Sequence, residues 1–285
     1  MILVTGARGT VGRRVAARLA AAGEPARLMT REPDVPVGAP PGTEVVRGDF
    51  ADPVSLRAAL AGVRAALLVT SDPLRPDDDV RFVEAARRAS LHRLVKLSAF
   101  AVQDDLAADL VTDWQRACEE VVVGSGLGWT LLRPRAFMTN TLAWAAAVRS
   151  GAPVRAVHPH ARNACVDPDD IAEIAVQALC GSAHEGRTYA LTGPVALSAA
   201  DQAGLLAREL GRPVEVSALT EQEARRGLLL RHPRPVADAL MESAAALAAG
   251  RKEEVTATVP RLLGRPARSY AVWASAHAAA FSADR

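Results

Sequence analysis

The sequence is poor in cysteine, lysine and aromatic residues, and it has no long hydrophobic run. Three cysteines in 285 residues, none at CxxC spacing, argue against a disulfide framework and a zinc site, so we expect reduced thiols, no bound metal and a cytoplasmic protein. Aromatic residues make up only 4% of the chain and the basic residues are scattered, which argues against nucleic-acid binding. No run of about eighteen apolar residues predicts a membrane span, and the absence of a charged leader argues against a signal peptide.

The overall composition is that of an ordinary globular protein. Hydrophobic residues make up 49% of the chain and charged residues 23%, and the net charge is +2. A charge this small does not indicate a polyanionic partner. A chain of 285 residues is long enough to bury a large core, as one elaborated domain or as a domain with a smaller lobe.

The N-terminal segment predicts a strand, a glycine turn, a helix and a second strand. Residues 1–5 are apolar or β-branched, and Gly6, Gly9 and Gly12 follow at intervals of three. Residues 26–30 form the next predicted strand. The helix between the strands is indicated by the helical spacing of Val11, Val15, Ala16, Leu19 and Ala22.

This arrangement is typical of a nucleotide site. Glycines allow the sharp turn and the close approach of a pyrophosphate, while the helix N-terminus directs N–H groups at the phosphates. The spacing departs from the usual G-x-G-x-x-G, and an ordinary tight turn between strand and helix is the alternative interpretation. The predicted phosphate-binding residues are Gly6, Ala7, Arg8, Gly9, Thr10, Val11 and Gly12.

The residue after the second predicted strand distinguishes the two nicotinamide cofactors. An NAD site usually has an acidic residue there, which binds the ribose 2′-hydroxyl, whereas this chain has Arg31. A guanidinium can hold a 2′-phosphate with charge-assisted hydrogen bonds. The sequence therefore predicts NADP(H), with Arg8 in reach of the same phosphate. The alternative is that both arginines are solvated surface charges.

Further cofactor contacts are predicted where later strands end, because the carboxyl ends of parallel strands face the ligand in such sheets. Asp49 could accept a hydrogen bond from the adenine amino group, and Phe50 could cover the adenine or simply belong to the core. The remaining predicted contacts are Val69, Thr70 and Ser71 at the end of the fourth strand and Ser98, Ala99 and Phe100 at the end of the fifth.

Strands and helices alternate along most of the chain. This alternation predicts an α/β fold with a doubly wound parallel sheet covered by helices on both faces. Asp167, Asp169 and Asp170 suit the start of a helix better than catalysis. The C-terminal part predicts helices, a short strand at 214–216 and an alanine-rich helix at 237–249 that could contact the cleft or the second subunit of a homodimer.

Several motifs in this order resemble the NmrA-like, atypical short-chain dehydrogenase/reductase family, in particular its quinone-reductase-like NADP(H)-binding branch. They are TGARGTVG at 5–12, Arg31, GDF at 48–50, LSAF at 97–100, WTLLRPRAFMTN at 129–140, DPDDIAEIAVQAL at 167–179, TYALTGPVALS at 188–198 and GRPARSYAVWASAHAAAF near the C-terminus. The resemblance spans nearly the whole chain.

The resemblance implies a Rossmann domain that binds NADP(H), at 1–135 plus 166–192, and a smaller, mostly helical C-terminal lobe, at 136–165 plus 193–285, which closes the substrate cleft. It also implies a pocket for a flat aromatic or quinone-like substrate. Its predicted lining is Trp114, Phe137, Met138, Asn140 and His158.

The usual catalytic pair of short-chain reductases is missing. In those enzymes a Tyr-x-x-x-Lys helix supplies a phenol that protonates the carbonyl oxygen. This chain has only Tyr189 and Tyr270, and neither has a lysine four residues later. The family resemblance implies such a loss, and quinones tolerate it because they are electron-poor and can take a proton from water. Ser98 and His158 are candidate substitute donors, although Ser98 could equally bond the backbone and His158 with His160 could be an ordinary loop pair.

Three functional hypotheses follow. The first is an NADPH-dependent oxidoreductase that reduces a quinone or a similar aromatic carbonyl, as a tailoring step in small-molecule biosynthesis. The second is a redox sensor that binds NADP(H) without turnover and signals to a protein partner. The third is a tailoring or coupling protein for aromatic natural products on the same fold.

Overall fold

The computed structural model describes residues 1–34 and 38–282. Its strands are β1 (Ile2–Val4), β2 (Ala26–Thr30), β3 (Glu44–Arg47), β4 (Ala65–Leu68), β5 (Arg93–Leu97), β6 (Gly128–Pro134), β7 (Val154–Ala156), β8 (Arg162–Asn163), β9 (Arg187–Leu191), β10 (Leu197–Ser198) and β11 (Val216–Ala218).

Helices connect most of these strands. They are α1 (Gly12–Ala21), α2 (Pro53–Leu60), α3 (Asp77–Arg88), α4 (Leu110–Val123), α5 (Ala145–Ser150), α6 (Pro168–Cys180), α7 (Ala199–Leu210), α8 (Glu221–Leu229), α9 (Arg234–Ala248), α10 (Thr258–Leu263) and α11 (Tyr270–Ala276). Short 3-10 helices lie at Phe100–Gln103, Met138–Trp144 and Ala278–Phe281. None of the helices in the described part of the chain is both long and apolar enough to cross a membrane.

The first of two compact units contains a seven-stranded sheet. It comprises Met1–Asp104, Thr112–Pro134 and Pro168–Ala190. The strand order is β3-β2-β1-β4-β5-β6-β9, and the pairs from β3 to β6 are parallel. The order reverses direction between β1 and β4, which is the switch point where ligands bind in doubly wound sheets. The predicted fold class is confirmed.

Both faces of this sheet are covered, as the apolar strands require. Every residue of β1 and β4 is buried. On one face, Leu56, Phe82 and Leu94 belong to a core cluster that includes side chains of α2 and α3. On the other, α1 packs on α6, where the Asp169 carboxylate lies 3.3 Å from Arg14 Nε and 3.1 Å from Arg18 Nη2.

The second unit comprises Asp105–Val111, Arg135–Asp167 and the chain from Leu191 onward. Its helices surround an apolar cluster that includes Met138, Leu206, Tyr270 and Trp273. Two small sheets pair β10 with β8 and β11 with β7. The segment Asp105–Val111 belongs to this unit, whereas the sequence analysis placed it in the Rossmann domain.

Local sequence rules account for most element boundaries. The bounds of β2 are those expected, and Asp52 caps α2 by accepting from the N–H groups of Val54 and Ser55. Ser198 begins α7 with a capping box, and Gly211 ends it in the left-handed conformation. The strand expected at 214–216 was misplaced: it runs over Val216–Ala218, because its partner β7 pairs with those residues.

We predict that Cys118 is inert in the folded chain. Burial raises the pKa of its thiol to about 12, which lowers the reactive thiolate fraction at pH 8 about a thousand-fold relative to an unperturbed thiol. Iodoacetamide should therefore leave Cys118 unmodified, as mass spectrometry of peptides would show. The same treatment in denaturant should modify it fully, and equal rates in both conditions would contradict the buried position.

Candidate functional site

The turn between β1 and α1 depends on the close packing of its glycines. Gly6 has φ of +60°, and a Cβ there would lie 2.9 Å from Val69 Cβ. A Cβ on Gly12 would lie 2.3 Å from the carbonyl oxygen of Gly6, far closer than any real contact. The Gly9 N–H donates to the same Gly6 oxygen at 2.8 Å. The turn therefore tolerates no side chain at its two ends.

The N-terminus of α1 lacks the groups that usually stabilise a helix start. Its cap residue Val11 makes no side-chain hydrogen bond, and the first turn contains no acidic residue. The partial positive charge and N–H groups of a helix start favour an anion. This helix start is therefore available to a phosphate group, in contrast to α2 and α7, which are capped by their own side chains.

A cavity of about 480 Å³ opens at the carboxyl ends of β1 to β4, within the first unit. This volume is in the usual range for small-molecule sites. Ten of the predicted cofactor residues line it, namely Gly6, Ala7, Arg8, Gly9, Arg31, Asp49, Phe50, Val69, Thr70 and Ser71. Its other lining residues include Met29, Thr30, Glu32, Gly48, Asp72, Arg75 and Asp78. The structure thus brings the glycine turn and the ends of four strands to one cavity.

The remaining predicted cofactor residues lie elsewhere. Thr10, Val11 and Gly12 form the turn and helix start rather than the cavity lining, and Ser98, Ala99 and Phe100 lie after β5, outside that lining. The Ser98 hydroxyl donates to Glu119 Oε1 at 2.5 Å, and Glu119 is held in turn by Arg133, whose Nε donates at 2.9 Å. The sequence analysis considered a hydrogen bond from Ser98 to the backbone, but the acceptor is the Glu119 carboxylate on α4.

Two arginines line the cavity near the end of β2, and they differ in their contacts. Arg31 is exposed. Arg8 contacts Glu32, with Nη1 3.2 Å from the carboxylate and Nη2 2.5 Å from the backbone carbonyl oxygen. The side chains of this pair are 36% and 68% exposed, so the ion pair contributes at most about 1 kcal/mol. A phosphate can displace such a contact.

An ion network that sequence analysis missed also lines the cavity. Arg75 Nη2 is 3.2 Å from Asp49, and Arg75 Nε is 3.2 Å from Asp78. The N–H of Ala51 and the Arg75 guanidinium hold the pKa of Asp49 below its usual value, whereas burial raises the pKa of Asp78. Asp49 therefore remains an ionised acceptor, as its expected role at the adenine requires, but it already accepts these two bonds.

Phe50 serves the core and the cavity together. Its ring packs edge-on against Phe82, with centroids 6.0 Å apart, and it is half-buried against the core cluster. It also lines the cavity. The two interpretations of Phe50 offered by the sequence are thus compatible.

A buried charged cluster adjoins the cavity at Thr70. Lys96 Nζ lies 2.6 Å from Asp79 Oδ1 and 2.6 Å from Thr70 Oγ1, and the Thr70 hydroxyl donates to Asp79 Oδ2 at 2.7 Å. Lys96 is fully buried, and its ammonium lies 5.7 Å from the centre of the Trp114 ring. The available sequence signal was a lysine inside an apolar strand, in a chain with only two lysines.

The five residues predicted to line a substrate pocket are divided between the units. Trp114 is buried in the first unit. In the second unit, Met138 is buried in the apolar cluster and Phe137 forms a bridge with Val166. Asn140 is exposed, and His158 Nε2 lies 3.8 Å from Glu221. Their role as a substrate pocket remains a prediction.

Both tyrosines have structural contacts. The Tyr189 hydroxyl is 2.9 Å from His184 Nδ1. Tyr270 is buried beside Trp273, with ring centroids 5.3 Å apart, and burial raises the pKa of its phenol. In the described part of the chain, no three His, Cys, Asp or Glu side chains are grouped to hold a metal ion.

The geometry fits NADP(H). A bound diphosphate needs a turn without side chains next to a free helix start, and the glycine turn and the uncapped α1 provide both. Two arginines lie beside the second strand. A model of the NAD(P)H-binding family matches residues 6–180. The chain belongs to this NAD(P)H-binding family. It is an NADPH-binding oxidoreductase whose relatives include reductases of several small molecules.

Three similar proteins cover at least 97% of this chain. A "(4-alkanoyl-5-oxo-2,5-dihydrofuran-3-yl)methyl phosphate reductase" of Streptomyces griseus is 48% identical over 100% of both chains. An "NAD(P)H azoreductase" of Xenophilus azovorans is 35% identical over 99% of this chain and 100% of its own. The NADPH complex of an NADPH-dependent quinone oxidoreductase from Escherichia coli has a TM-score of 0.82 and 26% identity, over 97% of this chain and 99% of that one.

We predict that Gly12→Ala disrupts the cofactor site. The added methyl group would collide with the Gly6 carbonyl, and such overpacking costs about 1–3 kcal/mol of unfolding free energy. We expect at least ten-fold weaker NADPH binding in a fluorescence titration. Gly204→Ala is the matched control, because a Cβ there meets nothing within 4 Å. Unchanged NADPH affinity in Gly12→Ala would contradict this account of the turn.

Proposed function

We propose that this protein is an NADPH-dependent reductase of a conjugated carbonyl compound in small-molecule biosynthesis, and that its substrate is an alkanoyl furanone carrying a methyl phosphate. The supporting observation is the 48% identity to the Streptomyces griseus furanone phosphate reductase over the full length of both chains. Identity this high over every element makes a shared substrate class the best-supported hypothesis.

The chemistry of that substrate class suits the residues of this chain. The ring double bond of a 4-alkanoyl-5-oxo-2,5-dihydrofuran is conjugated to two carbonyl groups. Addition of a hydride at ring carbon 3 therefore leaves a negative charge at carbon 4, and both carbonyl oxygens share this charge. NADPH supplies that hydride when bound. Since the charge is delocalised, a positioned strong acid contributes less than it does in the reduction of a simple ketone. Water can supply the proton at carbon 4.

None of the candidate proton donors of this chain is free of other contacts, which agrees with a reaction in which water supplies the proton. Tyr189 and Tyr270 contact His184 and Trp273, and the Ser98 hydroxyl proton is directed at Glu119. His158 lies near Glu221. We therefore assign none of the four as the acid, and we assign cofactor binding to the glycine turn, the start of α1 and Arg31.

Quinone reduction is the second candidate. It is favoured by the structural likeness to the Escherichia coli quinone oxidoreductase over 97% of this chain. A quinone is also a doubly conjugated acceptor that needs no positioned acid. The phosphate distinguishes the two candidate substrates experimentally, because only the furanone carries one.

A substrate panel separates these hypotheses. We expect NADPH absorbance at 340 nm to fall with an alkanoyl furanone methyl phosphate, and kcat/KM to be at least ten-fold lower for its dephosphorylated form, because an ionic hydrogen bond contributes roughly 1.5–3 kcal/mol. Faster turnover of simple quinones would favour the second candidate. Tight NADPH binding without turnover of any compound would instead support a redox sensor.

We predict that Arg31 selects NADPH over NADH. Arg31→Ala should weaken NADPH binding about ten-fold or more, through loss of a charge-assisted bond to the 2′-phosphate, and should leave NADH binding unchanged. Arg87→Ala, a substitution of an exposed arginine on α3, is the matched control. Equal effects of Arg31→Ala on both cofactors in calorimetric titrations would refute the assignment.

A further inference from the structure

The cluster of Lys96, Asp79 and Thr70 forms a closed ring of one ion pair and two hydrogen bonds. The ammonium forms an ion pair with one oxygen of Asp79 and donates a hydrogen bond to the hydroxyl oxygen of Thr70. The Thr70 hydroxyl donates its only proton to the other oxygen of Asp79. The ring therefore uses both carboxylate oxygens and fixes the rotamer of the Thr70 side chain.

The net stability of such a ring does not explain its presence. Lys96 and Asp79 have no exposed surface, and removing two charges from water offsets most of the attraction between them. A pair of apolar side chains can fill the same space with equal or greater stability. We therefore consider which residues the ring holds in place.

The ring closes a loop that forms part of the cofactor cavity. Thr70 follows β4, Asp79 lies in the first turn of α3, and Lys96 comes from β5. The intervening residues 71–78 contribute Ser71, Asp72, Arg75 and Asp78 to the cavity lining. Thr70 also lines the cavity. Both ends of this wall are therefore attached to one buried lysine.

We infer that Lys96 and Asp79 are positioning residues of the NADP(H) site, which hold Thr70 and the loop 71–78 in the shape that receives the cofactor. This inference rests on the assignment of the cavity to NADP(H) under the proposed function. Neither residue lines the cavity, so both act through Thr70 and the loop.

A charge-free double variant separates positioning from stability. Lys96→Met or Asp79→Leu alone leaves a buried charge without its partner, and each should lower the melting temperature markedly. The double variant should recover most of that loss. We nevertheless expect it to bind NADPH about three- to ten-fold more weakly, because Thr70 loses both ring partners.

Thr70→Val removes the hydroxyl without altering either charge. It should weaken NADPH binding by a similar factor, and it should add little to the double variant, because the three side chains act as one unit. Thr130→Val is the matched control. Thr130 is also buried, and its hydroxyl donates to the His184 carbonyl oxygen at 2.9 Å, away from the cavity lining. This control should bind NADPH as the wild type does.

Amide hydrogen exchange over residues 71–78, measured without cofactor, tests the loop directly. We expect faster exchange in Thr70→Val and in the double variant than in the wild type or Thr130→Val. Unchanged exchange, or NADPH affinity at the wild-type value in the double variant, would overturn the inference. Failure of the wild type itself to bind NADPH would refute the cofactor assignment, and the exchange rates would then still show whether the ring fixes the loop.

Discussion

The packing of Gly12 against the carbonyl group of Gly6 determines how the rest of the site is arranged. A side chain at position 12 would collide with that oxygen at 2.3 Å, so only glycine allows α1 to start this close to the end of β1. The same turn contributes Gly6 and Gly9 to the lining of the cavity and leads directly into the uncapped start of the helix. A diphosphate binds such a helix start through N–H groups and the helix dipole.

Two groups of charged side chains line the cavity, and a third, buried group contacts the cavity wall through Thr70. The Arg8–Glu32 and Arg75–Asp49 pairs are partly solvated contacts of small individual energy. The ring of Lys96, Asp79 and Thr70 differs because it is buried. Water and salt screen the first two, so a ligand can rearrange them, whereas the buried ring is held in one geometry.

The sequence predicted features that depend on neighbours along the chain. The bounds of β2 followed from the local sequence, and the glycine turn followed from the glycine spacing. It did not predict the partner of Lys96, because Asp79 and Thr70 are 17 and 26 residues earlier in the chain. The misplaced strand β11 has the same cause, since its position is set by β7, some sixty residues away.

The sequence predicted the cofactor and the type of reaction, but not the substrate proposed here. Arg31 and the glycine turn indicated an NADP(H) site, and the resemblance to the NmrA-like family implied a reductase of a quinone-like acceptor. The missing Tyr-x-x-x-Lys pair left a redox sensor open as an alternative. The furanone phosphate could not be predicted in this way, because no local motif identifies a substrate. That hypothesis depends on a full-length relative.

A crystal structure of the protein with NADPH tests the central claim most directly. The account predicts the diphosphate at the start of α1 beside Gly9, and the 2′-phosphate within hydrogen-bond distance of Arg31. A diphosphate bound away from the turn, or a 2′-phosphate directed into solvent away from Arg31, would contradict it.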